Sequence, residues 1–250
     1  MAAAEENPRV TVVVPVREEG EAIVGFLDRL FEAVTLPCEV LLVLDDEADP
    51  TQPFVTAYAQ HEPRLQVLVN AHGDGPANAM RSGIDHAKAD VLVTTMGDGS
   101  DDPQHIDQLA RLVERGVVVA SASRWTRGGQ KVGGGLLKGL LSRVAGLSLH
   151  YLAHVGTRDA TNCFKAYSTE FLKEVGIESD TGFTLGIEQV AKARRCRLPV
   201  AEIPTIWLDR MSGSSKFQLG PWLPAYLGWW LFAFGPRLSP DRVRRRSESS

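Results

Sequence analysis

Three aspartates crowd the segment "MGDGSDDP", residues 96–103: Asp98, Asp101 and Asp102. Like charges this close repel, and burying them unpaired costs several kcal/mol each. A divalent cation held against phosphates is the chemistry that suits them. Hard cations take oxygen ligands, and Mg2+ often needs only one or two carboxylates besides phosphate and water. Two further acidic groups, Glu18–Glu19 and Asp45–Asp49, also follow apolar runs. A plain surface turn is the alternative for each, since aspartate is a common turn residue.

The elements that must position these groups can be read from periodicity. "RVTVVVP", "CEVLLVL", "LQVLV", "DVLVTTM" and "VVVASAS" are short apolar runs of strand type, the first halted at Pro15. Between the first two, Ile23, Phe26, Leu27, Leu30, Phe31 and Val34 mark one face of a helix. "DPQHIDQLARLVERG" starts with Asp102 as N-cap and Pro103 at the first helical position, and ends at Gly116. Strand–helix alternation of this kind predicts a mostly parallel sheet with helices on both faces. Ligands of such sheets bind beyond the carboxyl ends of the strands, where all three acidic groups fall. The second half is less regular. A glycine-rich loop leads to a small-residue helix after residue 135. "PVAEIPTIWLDR" is strand-like, with prolines that suit a sheet edge.

Composition excludes several classes. The chain has 250 residues, 44% of them hydrophobic and 23% charged, which suits a soluble globular protein. A net charge of −4 gives no reason to expect nucleic acid. Three cysteines without metal-type spacing point to a reducing compartment, and the first residues carry no secretory pattern. No apolar run reaches the length of a spanning helix. "PWLPAYLGWWLFAFG", residues 221–235, is apolar and Trp-rich, followed by Arg242, Arg244, Arg245 and Arg246. It reads either as a helix packed on the domain or as one lying in a membrane interface. Four segments result: a flexible start at 1–8, a catalytic domain at 9–218, the apolar helix at 219–236 and a disordered basic tail at 237–250.

Taken in order, these motifs resemble the family 2 inverting glycosyltransferases of A-type fold. The nearest branch is the dolichol- or polyprenyl-phosphate sugar synthases, and the resemblance covers roughly residues 9–235. It implies donor contacts at Pro15, Arg17 and Glu19 in "VVVPVREEGEAI". It implies a nucleoside contact in "VLDDEADPT", with Asp46 favoured over Asp45. "MGDGSDDP" matches the metal motif, so Gly97 and Asp98 would face the donor, while Asp98, Ser100 and Asp101 would hold Mg2+ or Mn2+. Met96 stands on the motif's first aspartate, where a thioether is a poor ligand for either ion. "SRWTRGG" supplies Arg124. "RDATNCFKAY" supplies Asp159, with Cys163 and Lys165 in place of glycine and arginine. "GFTLGIEQV" supplies Glu188 at the floor of the site, and "DRMSGSSKF" supplies Arg210, Ser215 and Lys216.

The implied reaction moves a sugar from a nucleoside-diphosphate sugar to a polyprenyl phosphate with inversion. Asp98, Asp101, Asp159, Arg210 and Lys216 are its expected catalytic residues. Arg124, Arg210, Ser215 and Lys216 would hold acceptor phosphate. A phosphate acceptor is already anionic near neutral pH and needs little or no general base. A hydroxyl acceptor needs one, and Asp159 and Asp101 are the candidates. The alternatives are a soluble or glycan hydroxyl acceptor, or a sugar-nucleotide-binding protein without turnover. Expected partners are the sugar nucleotide, the lipid phosphate and a cytoplasmic membrane face, with self-association left open.

Overall fold

The computed structural model describes residues 7–180, 182–209 and 219–248. Along the chain come β1 (Val10–Val16), α1 (Ala22–Ala33), β2 (Cys38–Leu44), α2 (Gln52–Ala59), β3 (Leu65–Val69), α3 (Pro76–His86) and β4 (Val91–Thr94). A 3-10 turn (Pro103–His105) opens α4 (Ile106–Glu114), followed by β5 (Val119–Ser123), β6 (Gln130–Val132) and α5 (Leu136–Ser148). A π turn (Leu149–Ala153) extends α5. Then come β7 (Lys165–Ser168), α6 (Thr169–Val175), α7 (Leu185–Cys196), β8 (Val200–Pro204), β9 (Ile206–Leu208), α8 (Leu219–Ala233) and α9 (Pro240–Ser247).

Seven strands form one sheet in the order β3-β2-β1-β4-β7-β5-β8, and β6 and β9 form a small parallel pair. β7 runs antiparallel between β4 and β5; the other neighbours pair parallel. The β-branched runs bury both faces, as a sheet covered on two sides requires. Val12 and Val14 of β1 meet Ile23, Leu27 and Leu30 of α1 and Leu109 of α4. Val13 points the other way, to the layer of Met80 in α3, Leu172 in α6 and Val190 in α7. Pro15 does not end β1. Thr95 N donates to the Val13 carbonyl at 3.2 Å, so that side of β1 faces β4. Pro15, two residues on, turns its ring nitrogen to the same side, where β4 has already ended. The missing donor therefore breaks no ladder bond.

α3 lies close on β1. A Cβ at Gly83 would sit 2.5 Å from Val13 Cγ2. Gly83→Ala is expected to destabilise by about 1–3 kcal/mol through overpacking, read from the urea midpoint.

The C-terminal region departs from expectation. Residues 240–247, read as part of a disordered tail, form α9. Val243 is fully buried, and Arg246 donates to Glu178 at 2.9 Å while stacking on Phe232. α8 packs one side on the domain through Trp229, Phe232 and Ala233. Among the described residues no helix is long and apolar enough to cross a membrane.

Candidate active site at the strand ends

The turns after β1, β2 and β4 meet at the carboxyl edge of the sheet. Two side chains after β2 hold the turn after β1. Asp49 Oδ2 accepts from Glu18 N at 2.8 Å, and Thr51 Oγ1 accepts from Glu19 N and Gly20 N at 3.0 Å each. These bonds let Glu18 keep a left-handed φ of 57°. Asp49 and Thr51 were not anticipated as positioning residues; their signal was the "DPT" run at 49–51, opening α2. Pro15 is buried in β1, while Arg17 is exposed, its Nη1 3.8 Å from Asp45 Oδ2.

Asp45 and Asp46 separate clearly. Asp45 Oδ1 accepts from Gly75 N at 2.9 Å, which ties the turn after β2 to the start of α3. Asp46 is exposed, and its Oδ1 closes a local turn on Ala48 N at 2.6 Å. Asp46 was favoured as the nucleoside contact; in the structure it is Asp45 that stands between the two turns.

After β4 the chain must pass close to β1. Gly97 permits this, since a Cβ there would meet Val16 Cγ2 at 2.9 Å and Ile23 Cδ1 at 3.1 Å. Asp98 is half-buried, with Oδ1 accepting from Ser100 N at 3.0 Å. Ser100 is buried, and its carbonyl accepts from Leu208 N at 3.1 Å, which brings β9 to this turn. Asp101 turns inward: Oδ2 accepts from Thr95 Oγ1 at 3.2 Å and Met96 N at 3.3 Å. The expected metal trio of Asp98, Ser100 and Asp101 is therefore corrected, because two of the three are buried in the turn. Among the described residues no three His, Cys, Asp or Glu side chains converge on one point. What remains is one carboxylate at the mouth with a second behind it. That donor set suits a cation completed by phosphate oxygens rather than a protein cage.

Burial, then the charge of Asp98, pushes the Asp101 carboxyl up to about 7. An ordinary value of 3.8 applies to the unfolded chain. Between those pH values the folded protein holds a proton that the unfolded chain has released, so this group's contribution to stability falls as pH rises. Asp101→Asn should therefore gain stability relative to the native protein between about pH 5 and about pH 8. Thermal melts of both proteins in chelator check this.

The other half of the site comes from the later loops. Arg124, just past β5, grips Asp159 in a bidentate fork: Nε to Oδ2 at 2.7 Å and Nη2 to Oδ1 at 2.8 Å. Its backbone N–H adds a third bond to Oδ2 at 3.0 Å, and Nη2 also donates to Ser142 Oγ of α5 at 3.2 Å. Burial alone would raise the Asp159 pKa, but the charge and hydrogen bonds of Arg124 pull it below the usual carboxylate range. Two expectations change. Asp159 is fully buried with both oxygens engaged, so it cannot serve as a general base. Arg124 is not an open fork for acceptor phosphate, because its Nε and Nη2 donors are already committed.

The loop carrying Asp159 is itself clamped. The buried Lys165 Nζ donates to the carbonyls of Ala160 at 3.2 Å, Asp159 at 3.4 Å, and Asn162. Burial lowers its ammonium pKa to about 8. Gly146 lets α5 close on the same loop; a Cβ would lie 2.1 Å from the Arg158 carbonyl. Arg124 and Asp101 act on each other's charge, so the two halves share one electrostatic environment. Lys131 of β6, also not anticipated, lies within reach of the Arg124 charge; burial, then that charge, lowers its pKa. Glu188 braces the loop before α7 instead of flooring the site: it accepts from Glu178 N and Ser179 N and pairs with Lys192 at 2.7 Å. Arg210, Ser215 and Lys216 lie outside the described residues.

A mostly parallel doubly wound sheet with carboxylates at the ends of β1, β2 and β4 is the arrangement that the resemblance to A-type glycosyltransferases implied. The sequence model of glycosyl transferase family 2 matches residues 11–176, and the chain belongs to that family. It is 26% identical to an undecaprenyl-phosphate mannosyltransferase of Micrococcus luteus, over 85% of this chain and 88% of that protein. It is also 26% identical to a polyprenol monophosphomannose synthase of Mycolicibacterium smegmatis, over 87% and 84% respectively. Among solved structures, glucosyl-3-phosphoglycerate synthase from Mycobacterium tuberculosis, in complex with Mn2+ and UDP, superposes with a TM-score of 0.69 at 16% identity. That match covers 93% of this chain and 82% of the other. A mannosyltransferase from Pyrobaculum calidifontis in complex with GDP-Man and Mn2+ gives 0.61 at 18% identity, covering 98% and 70%.

Proposed function

We propose that this glycosyltransferase passes a hexose from a nucleoside-diphosphate sugar to a polyprenyl phosphate, with inversion, as a peripheral protein at the cytoplasmic membrane face. The observation that carries the acceptor class is the state of its two candidate bases. Asp159 is locked to Arg124, and Asp101 is turned into its own loop. A hydroxyl acceptor needs a carboxylate within reach to take its proton, whereas an ionised phosphate monoester does not. The names of the two bacterial relatives support the same acceptor.

In the proposed step an acceptor phosphate oxygen attacks the anomeric carbon opposite the leaving group. The new C–O bond forms as the bond to the nucleoside diphosphate breaks, and the electron pair leaves with that diphosphate. A divalent cation such as Mg2+ or Mn2+, held at Asp98, would offset the charge gained there. The chain's own part is positioning. Asp45 joins the turns that face the donor, and the Arg124–Asp159 clamp fixes the loop opposite. Arg210 and Lys216 are proposed as the remaining phosphate-binding cations.

Incubation with labelled sugar nucleotides, Mg2+ or Mn2+ and undecaprenyl phosphate should move label into the organic phase. GDP-mannose is the first donor to test, given the two relatives. Label found only on soluble hydroxyl acceptors would overturn the reading.

A further inference from the structure

Fifteen large apolar side chains stay exposed among the described residues; seven lie on α5 with its π turn, three on α8 and one, Phe234, just past its end. Leu136, Leu137, Leu140 and Val144 are 91%, 64%, 59% and 56% exposed, and their spacing puts them along one side of α5. Leu223, Leu227 and Leu231 make a matching stripe on α8, continued by Phe234 just past its end. The two helices are joined where Trp230 Nε1 donates to Ser148 Oγ at 2.9 Å. Soluble monomers rarely leave so much apolar surface together without a partner for it.

The charged side chains in the two sequence stretches that hold these helices are all of one sign. The chain carries net −4, yet no Asp or Glu occurs between Glu114 and Asp159, or between Asp209 and Asp241. Lys138 and Arg143 stand among the leucines of α5. Where the π turn and α8 both end, a cleft of about 620 Å³ is lined by His154, Arg194, Arg197 and Arg237. Arg194 ties the two ends together, donating to Ala153 O and Gly235 O at 2.8 Å each. His154, Arg197 and Arg237 are exposed at its rim.

We infer that the α5–α8 face docks on an anionic lipid bilayer, with the arginine cleft taking a lipid phosphate headgroup. The apolar stripes would enter the interface while the cations meet the negative surface. A second copy of the chain fits poorly as occupant. A two-fold contact sets a patch against itself, so Lys138 and Arg143 would face their own like charges. A bilayer partner builds on the lipid-phosphate acceptor, but the two can fail separately.

Flotation of the full chain with vesicles of phosphatidylcholine, with and without phosphatidylglycerol, tests the inference. The native chain should float far better with the anionic vesicles. The triple variant Leu137→Gln, Leu140→Gln, Val144→Gln should lose about 100-fold in vesicle affinity. The pair Arg197→Glu, Arg237→Glu should lose at least about 30-fold, and only on anionic vesicles. Both variants should keep native turnover on a short, detergent-dispersed polyprenyl phosphate, which shows them folded and separates docking from acceptor chemistry. Equal flotation of the native chain with both vesicles would overturn the inference. So would native-like binding by the triple variant, or a native dimer in solution that the triple variant disperses.

Discussion

Asp98→Asn is expected to lower turnover by about 10²–10³-fold with the fold intact. The amide keeps the oxygen that accepts from Ser100 N, so the turn survives. It removes the half-buried carboxylate at the mouth of this turn, since Asp101 points back to Thr95 and Met96 and Asp102 caps the next turn on Gln104 N. A cation shared between the chain and the donor diphosphate would lose its only charged protein ligand. The loss should be mainly in kcat. Nucleoside diphosphate affinity should also stop depending on added Mg2+ or Mn2+, which titration with and without chelator reads directly. Near-native kcat in the variant would remove the cation from the proposed step.

Asp159→Asn should be the most destabilising single change in the site, by about 3–5 kcal/mol, because it leaves the Arg124 guanidinium without its counter-charge. The Arg124 side chain is 11% exposed and that of Asp159 is 0% exposed. Removing both charges, as in Arg124→Met with Asp159→Leu, should cost less than Asp159→Asn alone, and the difference is the test of coupling. The pH dependence has a definite sign. The folded pKa of Asp159 is depressed, so its contribution is present above the unfolded value near 3.8 and is lost as pH falls through the folded one. The native protein should thus lose this increment only in acid, whereas the double variant has none to lose. Chemical melts across that range measure it.

Much of the sheet was legible because its strands are buried on both faces and so read as unbroken apolar runs, bounded by caps such as Asp102 and Pro103. Asp102 does cap the turn, accepting from Gln104 N at 3.1 Å. The insertion of β7 between β4 and β5 was not legible, because strand order is a tertiary choice that "KAYS" does not encode locally. α9 could have been found: Ser239, Pro240 and Asp241 open it and three arginines close it, but the basic composition masked that signature.

At the site, sequence identified which residue types were present but not which way they turn. Asp45 and Asp46 are adjacent, and only the fold shows that one meets Gly75 while the other closes on Ala48. Asp159 and Arg124 are 35 residues apart. Nothing in either motif says that they neutralise each other instead of facing substrate. The lack of Asp and Glu in the stretches that hold α5 and α8 was present in the sequence throughout, but its meaning depends on α8 meeting the end of α5.

In the proposed function the carboxylate edge of the sheet receives the donor diphosphate at Asp98. Crystals grown with a nucleoside diphosphate and Mn2+, with data collected at the manganese edge, test it most directly. An anomalous peak is expected about 2.0–2.3 Å from an Asp98 carboxylate oxygen, shared with the diphosphate. A diphosphate bound away from the ends of β1, β2 and β4, or bound there with no peak at Asp98, would contradict it.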